Sequence, residues 1–363
     1  MSKFNKAFPS VTALSKLTLA VICANAEITS AAPVLSNDHG TANVVFDGNN
    51  TNITQDIGTV TIDWASFNVA EGEIVNFNQS AGDVAINNIA DANASEILGT
   101  INADATIFLS NSNGFIFGAN SSVNTGSFLA TTSNISNGSS ADEFNLDGSS
   151  SSGSITINDN ASINASETGY LAFISKNIST EGNRTSETAG LSASNGELHF
   201  RNDESSTIKL SGLNISFPSS SLDSNQSANN IDLEGTSLSA KTVLLNTNDL
   251  NGLLESVVNQ PTSLAAEDLI VTGYENTEFL LDNSVINFED SGTDLKITAD
   301  TIKLKEANIL GAGTNLTLNA NRIEIGEGLN TFFGGDLGLA SIILNGDTYI
   351  QSDIKATGDI AIN

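Results

Sequence analysis

The 363-residue chain has one cysteine, Cys23, and it lies in the amino-terminal segment. Once that segment is removed no thiol is left, so neither disulfides nor thiolate chemistry can be invoked. A secreted protein without disulfides must draw its stability from a large continuous core. Proline is scarce too, with 4 residues against 30 glycines, and Asn, Ser and Thr are abundant. That balance favours many short strands with tight turns over long helices. Catalytic and cofactor signatures are missing as well: no HExxH, no GxSxG elbow, no GxxxxGK[ST], and no GxGxxG after a strand. No stretch approaches 18 consecutive apolar residues outside or inside the leader, so no stable membrane insertion is expected of the mature chain.

Basic residues are the next shortage. Lys and Arg number 13 against 42 Asp and Glu, a net charge of −29. Residues 1–26 hold Lys3, Lys6 and Lys16 and no acid, so their removal takes the charge to −32. Phosphate backbones and anionic bilayers would repel such a chain, which excludes nucleic acid as a partner. Solubility is the plain reason for the acidity. The Asp-rich glycine nonapeptide of calcium-binding β-rolls is absent, GGDLGLAS from Gly334 being a loose echo, so neither metal nor cofactor is expected.

Residues 1–26 read as a signal peptide, with Lys3 and Lys6 as its positive end and Leu17 to Ala24 as a short apolar run. Ala24-Asn25-Ala26 offers the cleavage site, with an alternative near Ala32 that would place Pro33 after the cut. A lipoprotein reading of Cys23 fails on the bulk of Ile22. From Asn43 to Asn78, Val44, Phe46, Ile53, Ile57, Val60 and Ile62 mark strands, separated by Asp47-Gly48 and Asn49-Asn50 turns. Trp64 and Phe67, beside Ile62 and Val69, are expected in the core.

From Ser133 to Ser154 the composition shifts to Ser, Asn, Gly and Asp, with Phe144 and Leu146 as the bulky apolars after Ile135. This predicts an excursion from the body, a hairpin packed on its side by those two residues, with Ser149 to Ser152 its most mobile-looking run. The strand pattern resumes at Ile155 and Ile157.

The second half repeats itself. Leu295 to Leu304 (LKITADTIKL) aligns with Leu316 to Ile325 (LTLNANRIEI), with Leu295 over Leu316, Ile297 over Leu318, Ile302 over Ile323 and Leu304 over Ile325. Looser copies lie at Val243 to Leu245, Ile342 to Leu344 and Ile360 to Ile362. Alternating strands recurring at such a period indicate a β-solenoid, in which stacking joins inner faces that no coil can bury alone. About 15 coils would make a rod on the order of 70 Å. The pattern stops at Asn363 in mid-repeat, as expected of either a truncated product or a short exoprotein with its last coil open.

The densest stretch runs from Ile101 to Thr132. In it Asn111, Ser112, Asn113 and Gly114 make a turn, and Phe115, Ile116 and Phe117 follow as an apolar strand closed by Gly118. Before the turn, Ile107 and Leu109 alternate with Thr106, Phe108 and Ser110, the pattern of a half-covered strand. Upstream lie WASFNVAEGEIVNFNQ (Trp64 to Gln79, including Phe77) and AINNIADANASEILGTI (Ala85 to Ile101); downstream lie GSFLATT and SINASETGYLAFISKNIS.

In that order these segments resemble the amino-terminal secretion domain of two-partner-secretion exoproteins, the filamentous-haemagglutinin-like family. Its pattern is a Trp-x-x-Phe strand, a Val-x-Phe strand, an Asn-rich strand, an Asn-Pro-Asn-Gly box with Phe-Gly after it, and a Leu-x-Ala-Thr-Thr close. The resemblance spans residues 34–200, with residues 201–363 continuing the coils; one departure puts Ser112 where the family usually has Pro. The resemblance implies an all-β, right-handed parallel β-helix with an amino-terminal β cap, export as an unfolded chain, and a cognate outer-membrane barrel whose periplasmic POTRA-type domains recognise the chain. It assigns the secretion step to Asn111, Ser112, Asn113, Gly114, Phe115, Phe117 and Gly118, and the core of the cap to Trp64, Phe67 and Phe77.

On this reading the product is secreted or held at the cell surface as an adhesin or haemagglutinin, with a host or neighbouring-cell receptor as a further partner. No enzyme activity is expected. The enzymatic alternative, a polysaccharide-active β-helix, would use Asp294, Asp300, Lys303, Lys305 and Arg322. Another alternative is the front part of a cytolysin or contact-dependent toxin. His39 and His199 are both expected to be solvated. Far-UV circular dichroism of the secreted protein should show a β-dominated spectrum, and clear helical minima would reject the solenoid.

Overall fold

The recurrence at 21 residues is a stacking register. In the computed structural model of the chain, Leu295 pairs with Leu316, Ile297 with Leu318, Ile302 with Ile323 and Leu304 with Ile325, each in a parallel ladder. The structure describes residues 32–36, 42–56, 58–181, 189–202, 205–221, 230–247, 249–250, 253, 263–282, 285–287, 292–305, 308–310, 313–326, 339–351, 354 and 356–363. The leader with Cys23, and Ile57, His39 and the Gly334 echo, lie outside the described residues.

One ladder runs the length of the fold. It starts at Thr59–Ser66 and passes through Val84–Ile89, Thr106–Asn111, Ser127–Thr131 and Tyr170–Ile174. Its inward column reads Val60, Ala85, Ile107, Phe128, Leu171, Leu198, Val243, Leu269, Leu295, Leu316, Ile342 and Ile360. These are twelve levels among the described residues, on the order of 50 Å of stack at the usual strand spacing. That is fewer than the length suggested, because two excursions consume chain without adding height. Bonded neighbours Thr132 and Ser175 are 43 residues apart, and Arg201 and Asn246 are 45 apart, where Thr298 and Asn319 are 21 apart.

A neighbouring inward column breaks the apolar rule once. Asn87 stacks between Ile62 and Leu109 and is fully buried. Its amide is satisfied on all sides: Trp64 Nε1–H donates to Oδ1 at 3.0 Å, and Nδ2 donates to the carbonyls of Ala85 and Phe108 at 3.2 and 3.1 Å. A buried indole N–H needs an acceptor, and an aliphatic residue here would leave it orphaned at a cost of about 1–3 kcal/mol. Phe67 packs edge-on against Trp64, ring centroids 5.0 Å apart.

The amino-terminal end is closed by antiparallel strands. Asn43–Asp47 pairs antiparallel with Asn50–Thr54, which in turn pairs in parallel with Ile74–Asn78, and Val34–Leu35 runs antiparallel to Thr59–Ser66. A hairpin laid over a stack of parallel strands satisfies backbone groups that an open end would leave bare.

The excursion is larger than the hairpin expected. Asn134–Asn137 and Glu143–Asp147 form that hairpin, and a second one, Ser205–Ser211 with Asn214–Ser221, pairs onto it to make one four-stranded antiparallel sheet. Phe144 and Leu146 do pack it onto the body, joined by Ile208, Leu210 and Ile215. They cover the outward column Ile86, Phe108, Leu129 and Ala172 of the long ladder, with Phe108 and Phe144 edge to face at 5.6 Å. Thr106–Asn111 is therefore buried on both faces, not half-covered: alternation marks two faces, and a distant segment covers the second.

The same sheet corrects the expectation for His199. It follows Ala172 in that outward column, but only 3% of it is exposed, beneath the ring of Phe217. The imidazole Nε2–H donates to Glu197 at 2.9 Å, and the Arg201 guanidinium lies 4.0 Å over the Phe217 ring. Burial holds His199 below its ordinary value of 6.5, outweighing the opposite pull of Glu197. The folded state therefore keeps a neutral ring where the unfolded chain takes up a proton, and stability declines as pH falls through about 6.5 toward the folded value. Urea unfolding from pH 7.5 to 5 should show this loss, at up to about 1.4 kcal/mol per pH unit. His199→Gln should flatten that part of the profile.

Candidate functional site

The turn at Asn111 to Gly114 is a corner that three successive coils meet. Asn111 is fully buried and works in both directions. Its Oδ1 accepts from the Asn113 backbone N–H at 2.9 Å, an Asx turn that sets the bend. Its Nδ2 reaches back one coil to the Asn93 carbonyl at 3.1 Å and Ser95 Oγ at 3.0 Å. Asn113 Nδ2 donates to the Asp91 carbonyl at 2.7 Å. The Gly114 N–H closes the turn onto the Asn111 carbonyl at 2.9 Å, with φ +99°, where a side chain is strained.

The next coil is bound as closely. The Ser112 carbonyl accepts from the N–H groups of Ser152 and Gly153 at 3.2 and 2.9 Å, and the Phe115 N–H donates to the Ser154 carbonyl at 2.9 Å. A Cβ on Gly153 would sit 2.2 Å from the Asn113 carbonyl carbon, and one on Gly114 would sit 2.2 Å from the Ser154 oxygen. The two glycines let backbone approach backbone. The Ser149 to Ser152 run thus ends in a seam on the box, with Ser151 buried, where composition suggested mobility. Ser112 contributes its carbonyl, which any residue supplies, so this bond does not depend on the proline usual at that position.

Behind the corner the chain enters the core. Phe115–Phe117 pairs in parallel with Ser95–Ile97 on one side and with Ile155–Asn158 on the other. Phe115 and Phe117 stack at 6.1 Å, and Phe117 meets Phe128 and Phe173 edge-on at 6.0 and 6.4 Å. A Cβ on Gly118 would sit 2.3 Å from the tip of the Leu98 side chain, which would have to turn aside. Trp64, Phe67 and Phe77 are all buried in the same continuous core.

Of the residues weighed for catalysis, Lys303 and Lys305 line one pocket with Glu324, which Asp294 and Asp300 do not. Asp294 accepts from Asn315 at 2.8 Å and Asp300 from Asn321 at 2.7 Å, both bonds between adjacent coils. Lys303 is paired with Glu278 at 2.6 Å. Arg322 pairs with Glu324 and lies over Tyr349. Sequence reasoning missed the partners of the box, Asp91, Asn93, Ser95 and Gly153. The Asp91-x-Asn93 turn, with the Asn93 N–H donating to Asp91 Oδ1 at 3.0 Å, was their one local signal.

Residues 31–273 match the family model of the TPS secretion domain. The chain is 37% identical over 97 residues to a heme/hemopexin-binding protein of Haemophilus influenzae, 26% of this chain and 11% of that protein. A second heme/hemopexin-binding protein of that organism is 36% identical over 75 residues. The chain therefore spans about a tenth of the length of these curated relatives. Among solved structures, the HMW1 secretion domain of Haemophilus influenzae superposes with a TM-score of 0.56 at 17% identity, covering 90% of this chain and 98% of that one. The filamentous hemagglutinin secretion domain gives 0.39 at 12% identity.

Gly153→Ala should be the more damaging of two alanine substitutions at glycine. Its Cβ would press on the Asn113–Gly114 peptide at 2.2 to 2.5 Å, where Gly58 faces open space. A cost of about 1–3 kcal/mol is expected at Gly153 and under about 0.5 at Gly58, read as the shift in urea midpoint.

Proposed function

The chain belongs to the family of the TPS secretion domain, exoproteins that leave the cell through a cognate outer-membrane transporter, and from that premise we propose that it is a surface adhesin whose Asn111 to Gly114 corner serves the secretion step. The observation that carries the proposal is the corner's position. It fixes one turn and bonds the coil before it and the coil after it, so three coils are tied at one point.

On this reading the leader through Ala26 is cleaved and the chain crosses the periplasm unfolded. The POTRA-type domains of the transporter receive it by strand addition to its unfinished β-edges. Outside, the corner brings Phe115 and Phe117 into the first stable coils, and each coil then templates the next. Burial of a Val, Leu or Ile side chain contributes about 1.5–3 kcal/mol, so every added level opposes return through the pore. A chain without thiols past residue 23 has nothing to lock it prematurely in the periplasm.

The heme/hemopexin-binding relatives are matched over 11% of their length or less, which supports a shared export module and not a shared ligand. An acidic rod with polar faces suits an interaction role, and four of the five residues considered for catalysis, Asp294, Asp300, Lys303 and Arg322, are spent on bonds between coils and on ion pairs.

Asn113→Ala and Gly114→Val should leave the protein stalled in the periplasm, with surface yield falling at least tenfold in immunoblots of fractionated cells. Normal surface yield from both variants would remove the secretory role given to the corner.

A further inference from the structure

The excursion sheet covers one side of the solenoid. A second side, free of it among the described residues, presents an uncharged, hydrogen-bonding surface. There the strands Asn50–Thr54, Ile74–Asn78, Thr100–Ala103, Ser122–Thr125 and Ser162–Ala165 stack in parallel and lead on into Ala189–Arg201, Thr236–Thr247 and Ser263–Ala265. The outward column at its centre begins Asn52, Asn76, Asn102, Asn124 and Asn164. Each amide donates to the carbonyl oxygen of the one before it, at 3.1, 3.0, 3.4 and 3.2 Å. Beside it run Thr100, Ser122, Ser162 and, past Gly190, Ser237. Across eight levels neither column contains an Asp, Glu, Lys or Arg, in a chain with a net charge of −29.

Chance does not readily leave outward positions of an acidic protein uncharged over such a height, on the order of 35 Å. The acids stand at the corners instead: Glu71 ahead of this face, Asp104 and Glu167 after it, all exposed. The groups on the face are held in place by each other. Ser122 and Ser162 accept from Asn124 and Asn164 at 3.0 Å each, which leaves the hydroxyl hydrogens to donate outward. The ladder uses one lone pair of each amide oxygen and leaves the other open. Donors and acceptors thus repeat along the axis at about 4.8 Å, with little side-chain freedom left to lose on binding.

We propose that this face binds a neutral polysaccharide laid along the solenoid axis. Hydroxyls of such a ligand pair with fixed donors and acceptors and require no ion to be desolvated. The axial repeat is comparable to the advance of one sugar ring along an extended chain. The acidic rims disfavour polyanions and a second copy of this protein alike. The inference rests on the adhesin reading and gives it a ligand class and a surface.

The test uses the intact secreted protein in affinity electrophoresis through laminarin and in sedimentation with cellulose and chitin, with heparin and polygalacturonate as anionic comparisons. Retention by a neutral glycan and not by the polyanions is expected. Thr100→Glu with Ser237→Glu, which spares the amide ladder, should weaken retention at least tenfold. Thr317→Glu, on the outward face of the long ladder, should leave it unchanged, with circular dichroism confirming that both variants fold. Absence of retention by every neutral glycan overturns the proposal, and so does equal retention of the double variant. A dimer that the double variant dissolves assigns the face to a second copy and overturns it too. Cell adhesion unchanged by a double variant that has lost glycan retention supports the face as a glycan site and leaves the adhesin reading to another surface. Glycan retention by a protein that does not adhere to cells supports the face and removes the adhesin reading.

Discussion

A single coil of this protein has nothing to bury itself against. Its inward residues, one or two aliphatics per strand, are covered only by the same positions one level up and down, as Val243 is covered by Leu198 and Leu269. The parallel ladder that aligns them also bonds their backbones, so burial and hydrogen bonding depend on the same register. Everything else in the structure either protects that register or interrupts it. The amino-terminal hairpin ends it in an antiparallel cap, and the asparagine ladder repeats it on the outside. A second ladder does the same at Thr298, Asn319, Asn345 and Asn363, with amides 3.2, 2.7 and 2.8 Å from their acceptors.

The corner at Asn111 differs in kind from the ladder. A ladder strand binds its neighbours along its length and tolerates a weak level. The corner instead uses specific atoms, an Asx turn, a positive φ and two glycine approaches, to tie three coils at one point. This explains why the motif can be short and still constrain the fold. It also explains why Ser112 can stand where relatives usually have Pro, since the bond made there belongs to the carbonyl.

Much of this was legible beforehand, and the reasons are local. The Leu295 and Leu316 segments align because equivalent positions on adjacent coils face the same environment. The Asn-rich turn announces itself because few residues accept such backbone angles. What could not be read is what lies over an outward face. His199 alternates with Leu198 and Phe200 as an outward residue should, and its outward side is roofed by Phe217. The second hairpin, Ser205–Ser211 with Asn214–Ser221, escaped notice because alternation in STIKL looks the same in a coil and in a side sheet. Gly153 was one glycine among many until its nearest neighbour proved to be Gly114's own turn.

The side sheet has an implication for chains that are made or exported piecemeal. Its two hairpins come from different coils, and the strand Glu143–Asp147 waits for Ser205–Ser211, which lies some 60 residues further on, to complete its edge. Until then Phe108, Leu129 and Ala172 are only partly roofed, and an extended strand margin faces solvent. A product interrupted between the hairpins would be sticky although its inner stack is already sound, so the hazardous interval in this molecule's folding falls in the middle of its length.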